Sequence, residues 1–529
     1  MLWNPKKLNF LLVCSVFTCM LTFNTLYAQE KATNPIIYAD VPDMSITRMN
    51  DTYYMSSTTM HMSPGLPIMK SKDLINWELI GYGYDRLVEN DAMNLDNGKN
   101  TYGRGSWASS LRYHDGLYYV STFSATAGKT HIYTTKDIEN GPWKAHEFEP
   151  AYHDHTLFFE NDKIYMIWGG GKLSIAELKN DLSGIKKETE KVLIENATAP
   201  IGSNYILPAE GSQLFKHDGK YYLFNIAWPR GGMRTVIIHR ADSIMGPYEG
   251  KLAFQDKGVA QGGLIDTPDG DWFAYLFQDS GAVGRIPYLV PVKWEDGWPV
   301  LGENGKVKVP STLDLPPSKG LNPGIVHSDD FSRKKKDLAL PLVWQWNHNP
   351  VNALWSLKEK PGFLRLKTGR IDSTFLQARN TLTQRAIGPV SSGSIKIDVS
   401  NMKPGDFAGL SVLQKKYGLI GVTFENDKKN IFMSKNIDDG GVLAEIPLNQ
   451  TEVYFKIECD FRDKTDQANF FYSLDGKVWK PIGDTLNMQY TLPHFMGYRF
   501  GLFNYATQQI GGWVDFDYFQ ISDSISSSK

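Results

Sequence analysis

Along most of this chain apolar and polar residues alternate with a period of two, the pattern of strands that bury one face. The stretch from Ile206 to Phe224 shows it most fully: alternating apolar positions, then Asp218-Gly219, then the aromatic run Tyr221 to Phe224. An Asp-Gly pair between two such segments predicts a β-hairpin. The hairpin recurs. Asp51-Thr-Tyr-Tyr-Met, Asp115-Gly-Leu-Tyr-Tyr-Val, Asn161-Asp-Lys-Ile-Tyr-Met and Asp269-Gly-Asp-Trp-Phe-Ala are further copies. Their aligned aromatics, Tyr54, Tyr119, Tyr165, Tyr222 and Phe273, stand 65, 46, 57 and 51 residues apart. Strand-rich repeats at a period of about 50 residues predict a β-propeller with one four-stranded sheet per blade. Five copies predict five blades, placed at residues 34–313.

Polar segments punctuate the repeats: Ser71 to Trp77, Thr135 to Trp143, Ala241 to Tyr248 and Trp294 to Trp298. Their Gly, Pro and Asp residues predict turns at the outer edges of successive blades. Pro310 to Pro323 is dense in Pro, Gly and Ser and predicts a linker or strap, set at residues 314–325. From Val326 the pattern stays β but changes style. Segments such as Gly393-Ser-Ile-Lys-Ile-Asp-Val, Val453-Tyr-Phe-Lys-Ile-Glu-Cys and Val514-Asp-Phe-Asp-Tyr-Phe largely alternate, with turn signals and no helical period. A two-sheet β-sandwich over residues 326–522 follows, so the whole chain reads as all-β.

Charge narrows the partners. With 56 basic and 58 acidic residues, nothing points to nucleic acid or another polyanion. Aromatic residues reach 13%, which suits either sheet packing or a sugar-stacking surface. At the N-terminus Lys6 and Lys7 precede the apolar run Leu11 to Phe23, and Leu26-Tyr27-Ala28 ends it. That run is too short to span a bilayer, so residues 1–28 read as a cleaved signal peptide, with a periplasmic or secreted product and no stable membrane insertion. Cleavage after Ala28 leaves Cys459 alone, without a partner for an intrachain disulfide.

Candidate chemistry comes from counting back along each hairpin. Eleven residues before Tyr54 and Tyr165 stand Asp43 and Asp154, and twelve before Tyr222 stands Glu210. The corresponding places before Tyr119 and Phe273 hold Trp107-Ala108 and Gln261-Gly262. The first strand of each propeller blade lines the central channel, so these positions converge on one axis. An acid before a turn often caps backbone N–H groups. Three converging carboxylates are costly, because like charges held close must shift their pKa values, and such clusters mark functional sites. Facing carboxylates suit glycoside cleavage: one gives a proton to the departing oxygen and the other takes one from water.

Several separate segments then resemble glycoside hydrolase family 43. They are Asn34-Pro-Ile-Ile, Val41-Pro-Asp-Met-Ser-Ile-Thr-Arg48, Ser63 to Trp77, Trp107-Ala108, His153-Asp-His-Thr-Leu-Phe158 and Ala209-Glu-Gly-Ser212 ahead of Tyr221-Tyr222. The second half is similar to the concanavalin-like jelly roll that often accompanies that family. The resemblance implies an inverting mechanism with Asp43 as general base, Glu210 as general acid and Asp154 tuning the acid. It implies substrate contacts from Trp107, Gln261 and Arg285, the last in Val283-Gly-Arg285. Three features depart from the family's pattern. Ser109 stands where Pro is usual after Trp-Ala, Met60 and Met62 replace expected pocket aromatics, and Gln261 stands where many relatives carry His near a calcium ion or central water. With Gln there no metal or other cofactor is expected, although a structural calcium held by carbonyls and water stays open. The implied function is exo-acting release of α-L-arabinofuranose from plant hemicellulose side chains on arabinoxylan or arabinosylated xyloglucan. A β-xylosidase acting on xylo-oligosaccharides is the alternative, and a non-catalytic glycan-binding propeller is the reading from another class. Oligomeric state is left open, as is whether a sandwich loop such as Phe503 to Gly511 reaches the pocket rim.

Overall fold

The computed structural model describes residues 31–526 apart from 304, 308–311, 322–323, 335–337 and 436–440, so the expected signal segment 1–28 lies outside the described residues. Five four-stranded antiparallel sheets follow one another along the first half of the chain. Blade I runs Ser45–Met49, Thr52–Ser56, Gly65–Ser71 and Glu78–Tyr84, and blade II Ser110–His114, Leu117–Ser124, Lys129–Thr135 and Lys144–Phe148. Blade III is Thr156–Glu160, Lys163–Gly170, Lys172–Glu177 and Lys191–Ile194. Blade IV is Tyr205–His217, Lys220–Pro229, Thr235–Ala241 and Glu249–Phe254, and blade V Ala260–Asp266, Trp272–Asp279, Arg285–Glu295 and Trp298–Leu301. This is the expected five-bladed propeller. Each repeated aromatic lies on the second strand of its blade, and each polar segment joins the third strand to the fourth. The sequence chemistry explains those outer turns: Asp73 Oδ1 accepts from the N–H groups of Ile75 and Asn76, and Asp137 Oδ1 from those of Glu139 and Asn140.

The segment after blade V behaves as a strap. Thr312–Leu313 pairs with Ala32–Thr33, Asn76 donates to Pro317 O at 3.2 Å, and Leu79 N donates to Gly324 O at 3.0 Å. The chain is thereby pinned along the outer edge of blade I. Beyond it two larger sheets form the sandwich. One runs Trp355–Ser356, Leu364–Lys367, Trp513–Ser522, Val390–Asp398, Glu452–Asp460, Gln467–Ser473 and Lys480–Pro481 in spatial order. In Val390–Asp398 buried and half-buried residues alternate strictly, as one covered face requires.

The other sheet runs Gly441–Pro447, Lys428–Lys435, Gly418–Glu425, Asp406–Leu413, Arg499–Ala506, Leu382–Arg385 and Gln345–Asn347, and then takes Met62–Ser63 from the propeller as its last strand. Every residue of Arg499–Ala506 is buried. Phe500 and Leu502 face the sandwich core, whereas Phe503 and Tyr505 pack with Met62, Phe375 and Met496 in the seam. The two halves are therefore joined by a shared sheet and shared core. Met62, expected at the pocket wall, is instead a seam residue, because the strand it joins turns it toward the sandwich.

A polar cluster completes the seam. His61 from the propeller and His348 and His494 from the sandwich surround Tyr102, with His494 stacked on it at 4.1 Å. Asn347 ties them together, accepting at Oδ1 from His61 Nε2 across 3.1 Å and donating to the Tyr102 hydroxyl at 2.8 Å.

Candidate active site

The pairing register shows which positions truly correspond. Ser45 faces Ser56, Thr156 faces Ile167, Gln213 faces Phe224 and Gly263 faces Tyr275, each partner standing two residues beyond its repeated aromatic. Two residues earlier along the chain, just before the start of the innermost strand or within it, come Asp43, Asp154, Gly211 and Gln261. All four adopt left-handed backbone, with φ of 52°, 45°, 67° and 53°. In blade II the same count reaches Ala108, next to Trp107. Glu210 thus stands one residue before the matching position, where blade III has His153. Its strand starts early, at Tyr205, and the register slips on both sides of Glu210. Those irregularities let a residue one place out of step still reach the site. Gly211 is needed for close approach as well as for its φ, since a Cβ there would sit 3.0 Å from the Gln261 side chain.

The three acids occupy unlike surroundings. Asp43 is 5% exposed and accepts two hydrogen bonds from Arg285 Nη1, both 2.9 Å. Burial pushes its carboxyl up from the ordinary range while the Arg285 charge opposes the rise. Arg285 is held in turn: its guanidinium lies over the Phe495 ring at 4.4 Å and donates to Phe495 O at 3.4 Å. Asp154 is buried and pushed up to about 7, by burial first and then by the charges of Glu210 and Asp43, with His153 opposing. Glu210 Oε2 lies 3.0 Å from His153 Nε2, which is 3.7 Å from Asp154 Oδ2. Burial works against the His153 imidazolium, but the hydrogen bond to Glu210 and the charges of Asp154 and Glu210 prevail and raise it to about 9.

Trp107 walls one side. Its ring is tilted against Phe495 at 5.0 Å and stacked on Phe123 at 6.1 Å, and its buried Nε1 has no hydrogen-bond partner among the described residues. Such an unsatisfied donor suits a sugar hydroxyl. Ser109, in place of the usual Pro, hydrogen-bonds Ser56 Oγ at 2.7 Å and so links blades I and II. Asp40 accepts from the backbone N–H groups of Arg285 and Gly497, at 2.7 and 3.0 Å, which occupies its oxygens structurally.

Three contributors escaped the sequence reading. Phe495 comes from the sandwich, on the segment 488–498, which has no strand period to mark it. That segment, and not Phe503 to Gly511, reaches the rim: Phe503 is strand-buried, and Thr507, Gln509 and Gly511 hydrogen-bond within the sandwich. Gly497 permits the docking, since a Cβ there would lie 2.2 Å from Val283 O. His153 was quoted beside Asp154, and its place one residue before the repeat position was a usable signal. The third is Arg112, which fills the channel one layer below the acids. It donates to Ser45 Oγ, Thr156 Oγ1, Gln213 Oε1 and Leu157 O at 3.1, 2.8, 2.6 and 3.0 Å.

For a cation, His153 Nε2 and one carboxylate oxygen each of Asp154 and Glu210 lie within 4.8 Å of one another, the one such group among the described residues. A calcium ion deeper in the channel would meet the Arg112 charge, which does not fit it.

Both halves of the chain match known family models. Residues 32–299 match the model of glycosyl hydrolases family 43, and residues 328–522 that of the β-xylosidase C-terminal concanavalin A-like domain. A β-xylosidase of Formosa agariphila is 32% identical, over 92% of this chain and 89% of its own length. A non-reducing end α-L-arabinofuranosidase of Bacteroides ovatus is 28% identical, over 82% of this chain and 86% of its own. A solved structure of a bifunctional GH43-CE protein of Bacteroides eggerthii superposes with a TM-score of 0.93 at 67% identity. It is matched over 94% of this chain, which spans 64% of that longer protein.

Proposed function

The chain belongs to glycoside hydrolase family 43, and on that premise we propose that it releases single pentose units from non-reducing ends of plant hemicellulose by one displacement with inversion. The carrying observation is the contrast between the acids: Asp43 is paired with Arg285, whereas Asp154 is packed beside Glu210. Arg285 opposes the rise that burial imposes on Asp43 and favours its ionised form, and that carboxylate accepts a proton from water as the water attacks the anomeric carbon. The bond from that carbon to the glycosidic oxygen breaks, and Glu210 passes its proton to the departing oxygen. Asp154 packs beside Glu210 at the leaving-group side of the pocket, where it can orient the acid. Trp107, Gln261 and Arg285 contact the sugar. Exo action is supported by Phe495, which closes one wall of the pocket across Trp107 and Arg285.

The sugar is α-L-arabinofuranose in the first reading and β-xylose in the second. The second is favoured by the name of the Formosa agariphila relative, and the first by that of the Bacteroides ovatus protein. Aryl pentosides of both sugars and both anomers decide between them, followed by product analysis on arabinoxylan and arabinosylated xyloglucan. NMR of the first-formed sugar should show the anomeric configuration inverted. Retention would sink the mechanism, and sugar binding without turnover would favour the glycan-binding alternative. Glu210→Gln should cost about a hundredfold more on unactivated substrates than on activated aryl pentosides, which depart with little protonation.

A further inference from the structure

Taking Glu210 as the acid from the reading above, we propose that His153 is its positioning residue: the imidazole holds the carboxylate form of Glu210 between turnovers and sets the alkaline limit of activity. The backbone directs the pair. His153 in blade III and Glu210 in blade IV occupy the same place, one residue before the repeat position, so adjacent blades aim the two side chains at each other across 3.0 Å. The His153 ring is steadied by the edge of Phe123 at 5.3 Å, and its carbonyl accepts from Gly169 N at 3.0 Å.

The charged and titratable groups around it are few. Glu210 and Asp154 face Nε2, Asp43 lies beyond Asp154, and His155 lies behind. His155 is buried with Nδ1 against Tyr152 O, and burial lowers it to about 4, so it is neutral at working pH. Exposure orders the cluster: the side chain of Asp154 is 8% exposed, that of Glu210 20% and that of His153 47%. His153 is the member open to solvent.

That order matters because inversion leaves the acids in the wrong state. After bond cleavage the Glu210 proton is on the departed sugar oxygen, and Asp43 carries the proton taken from water. Glu210 must regain a proton before the next cycle, and Asp43 must lose one. The newly formed Glu210 carboxylate accepts the His153 N–H and stays in place until solvent returns a proton through this open side. The imidazole touches the acid on one side and Asp154 packs on the other, so their opposite charges act on the alkaline limb in opposite directions. The protons belong to the cluster and the limb reports all three groups.

The test is the pH dependence of kcat/KM for His153→Phe and His153→Gln, on an activated aryl pentoside and on an unactivated oligosaccharide. Both variants remove the charge, so both should move the alkaline limb toward higher pH by about one unit. Gln keeps an N–H donor and should hold kcat on the unactivated substrate within about twofold, whereas Phe should lose about tenfold. An unmoved limb in His153→Gln overturns the inference, whatever Phe does. Glu210→Gln separates the two levels. If the wild-type limb survives in it, the assignment of the acid has failed; if the limb vanishes there yet stays put in His153→Gln, only the role of His153 has failed.

Discussion

Two successive layers of the propeller channel are laid down by the same innermost strands, yet their chemistry is opposite. The upper layer holds Asp43, Asp154 and Gln261, with Glu210 entering beside Gly211. The lower one, two residues further along each strand, holds Ser45, Ser110, Thr156 and Gln213 around the Arg112 guanidinium. Below, one cation donates to neutral oxygens on Ser45, Thr156 and Gln213, with Ser110 hydrogen-bonded to Thr156 beside it. Above, three carboxylates crowd together, with Arg285 committed to Asp43 and the solvent-open His153 beside Asp154 and Glu210. Convergence on an axis supplies only proximity. Whether a layer does chemistry or plugs the channel depends on whether its charges are matched, because unmatched charges are what shift protonation into the working range.

The sharpest test of the contrast is Asp43, the proposed base of the upper layer. Asp43→Asn should lower kcat/KM by about a thousandfold or more on aryl and natural substrates alike, since every leaving group needs the activated water. Activity within tenfold of wild type would show that the layers do not differ as described. Next in size is the plug. Arg112→Leu strands the acceptors on Ser45, Thr156, Gln213 and Leu157, so stability should fall by about 2–4 kcal/mol, read by chemical denaturation. Turnover of the folded fraction should stay within about twofold, and a thousandfold loss would make Arg112 part of the reaction.

A smaller effect belongs to Asp154, which burial and its acidic neighbours push up to about 7. Asp154→Asn removes a negative charge beside Glu210, so the alkaline limb of the pH–rate profile should move toward acid by about one unit. A limb that stays put would remove Asp154 from the upper layer's electrostatics. The smallest expected effect lies outside the channel, in the seam. Burial lowers His61 and His348 well below the ordinary imidazole value and His494 to about 3. The unfolded chain takes up protons near pH 6.5, whereas the seam does not. Stability is therefore full above that pH and declines as pH falls toward 3, where His494 itself titrates. His494→Phe, which keeps the ring stacked on Tyr102, should flatten that acid-side decline; an unchanged slope would place the acid sensitivity elsewhere.

Much of the fold was legible because it is local and repeated. Alternation, Asp-Gly turns and a recurring aromatic are properties of adjacent residues, and they specify hairpins, blade number and outer turns. Asp43 and Asp154 were legible for the same reason, each being a fixed count from its aromatic. Glu210 was legible as a count one residue too long, although only the slipped register of its strand explains how it still reaches the pocket. What tertiary structure decided is every contact between elements far apart in the chain. Phe495 reaches Trp107 across 388 residues of sequence, Met62 leaves its blade for a strand of the sandwich, and Arg112 gathers partners from three other blades. No periodicity announces such contacts. They depend on where the strap and the shared sheet bring the two halves together, and on which donor is left to fill the axis once five strands have closed around it.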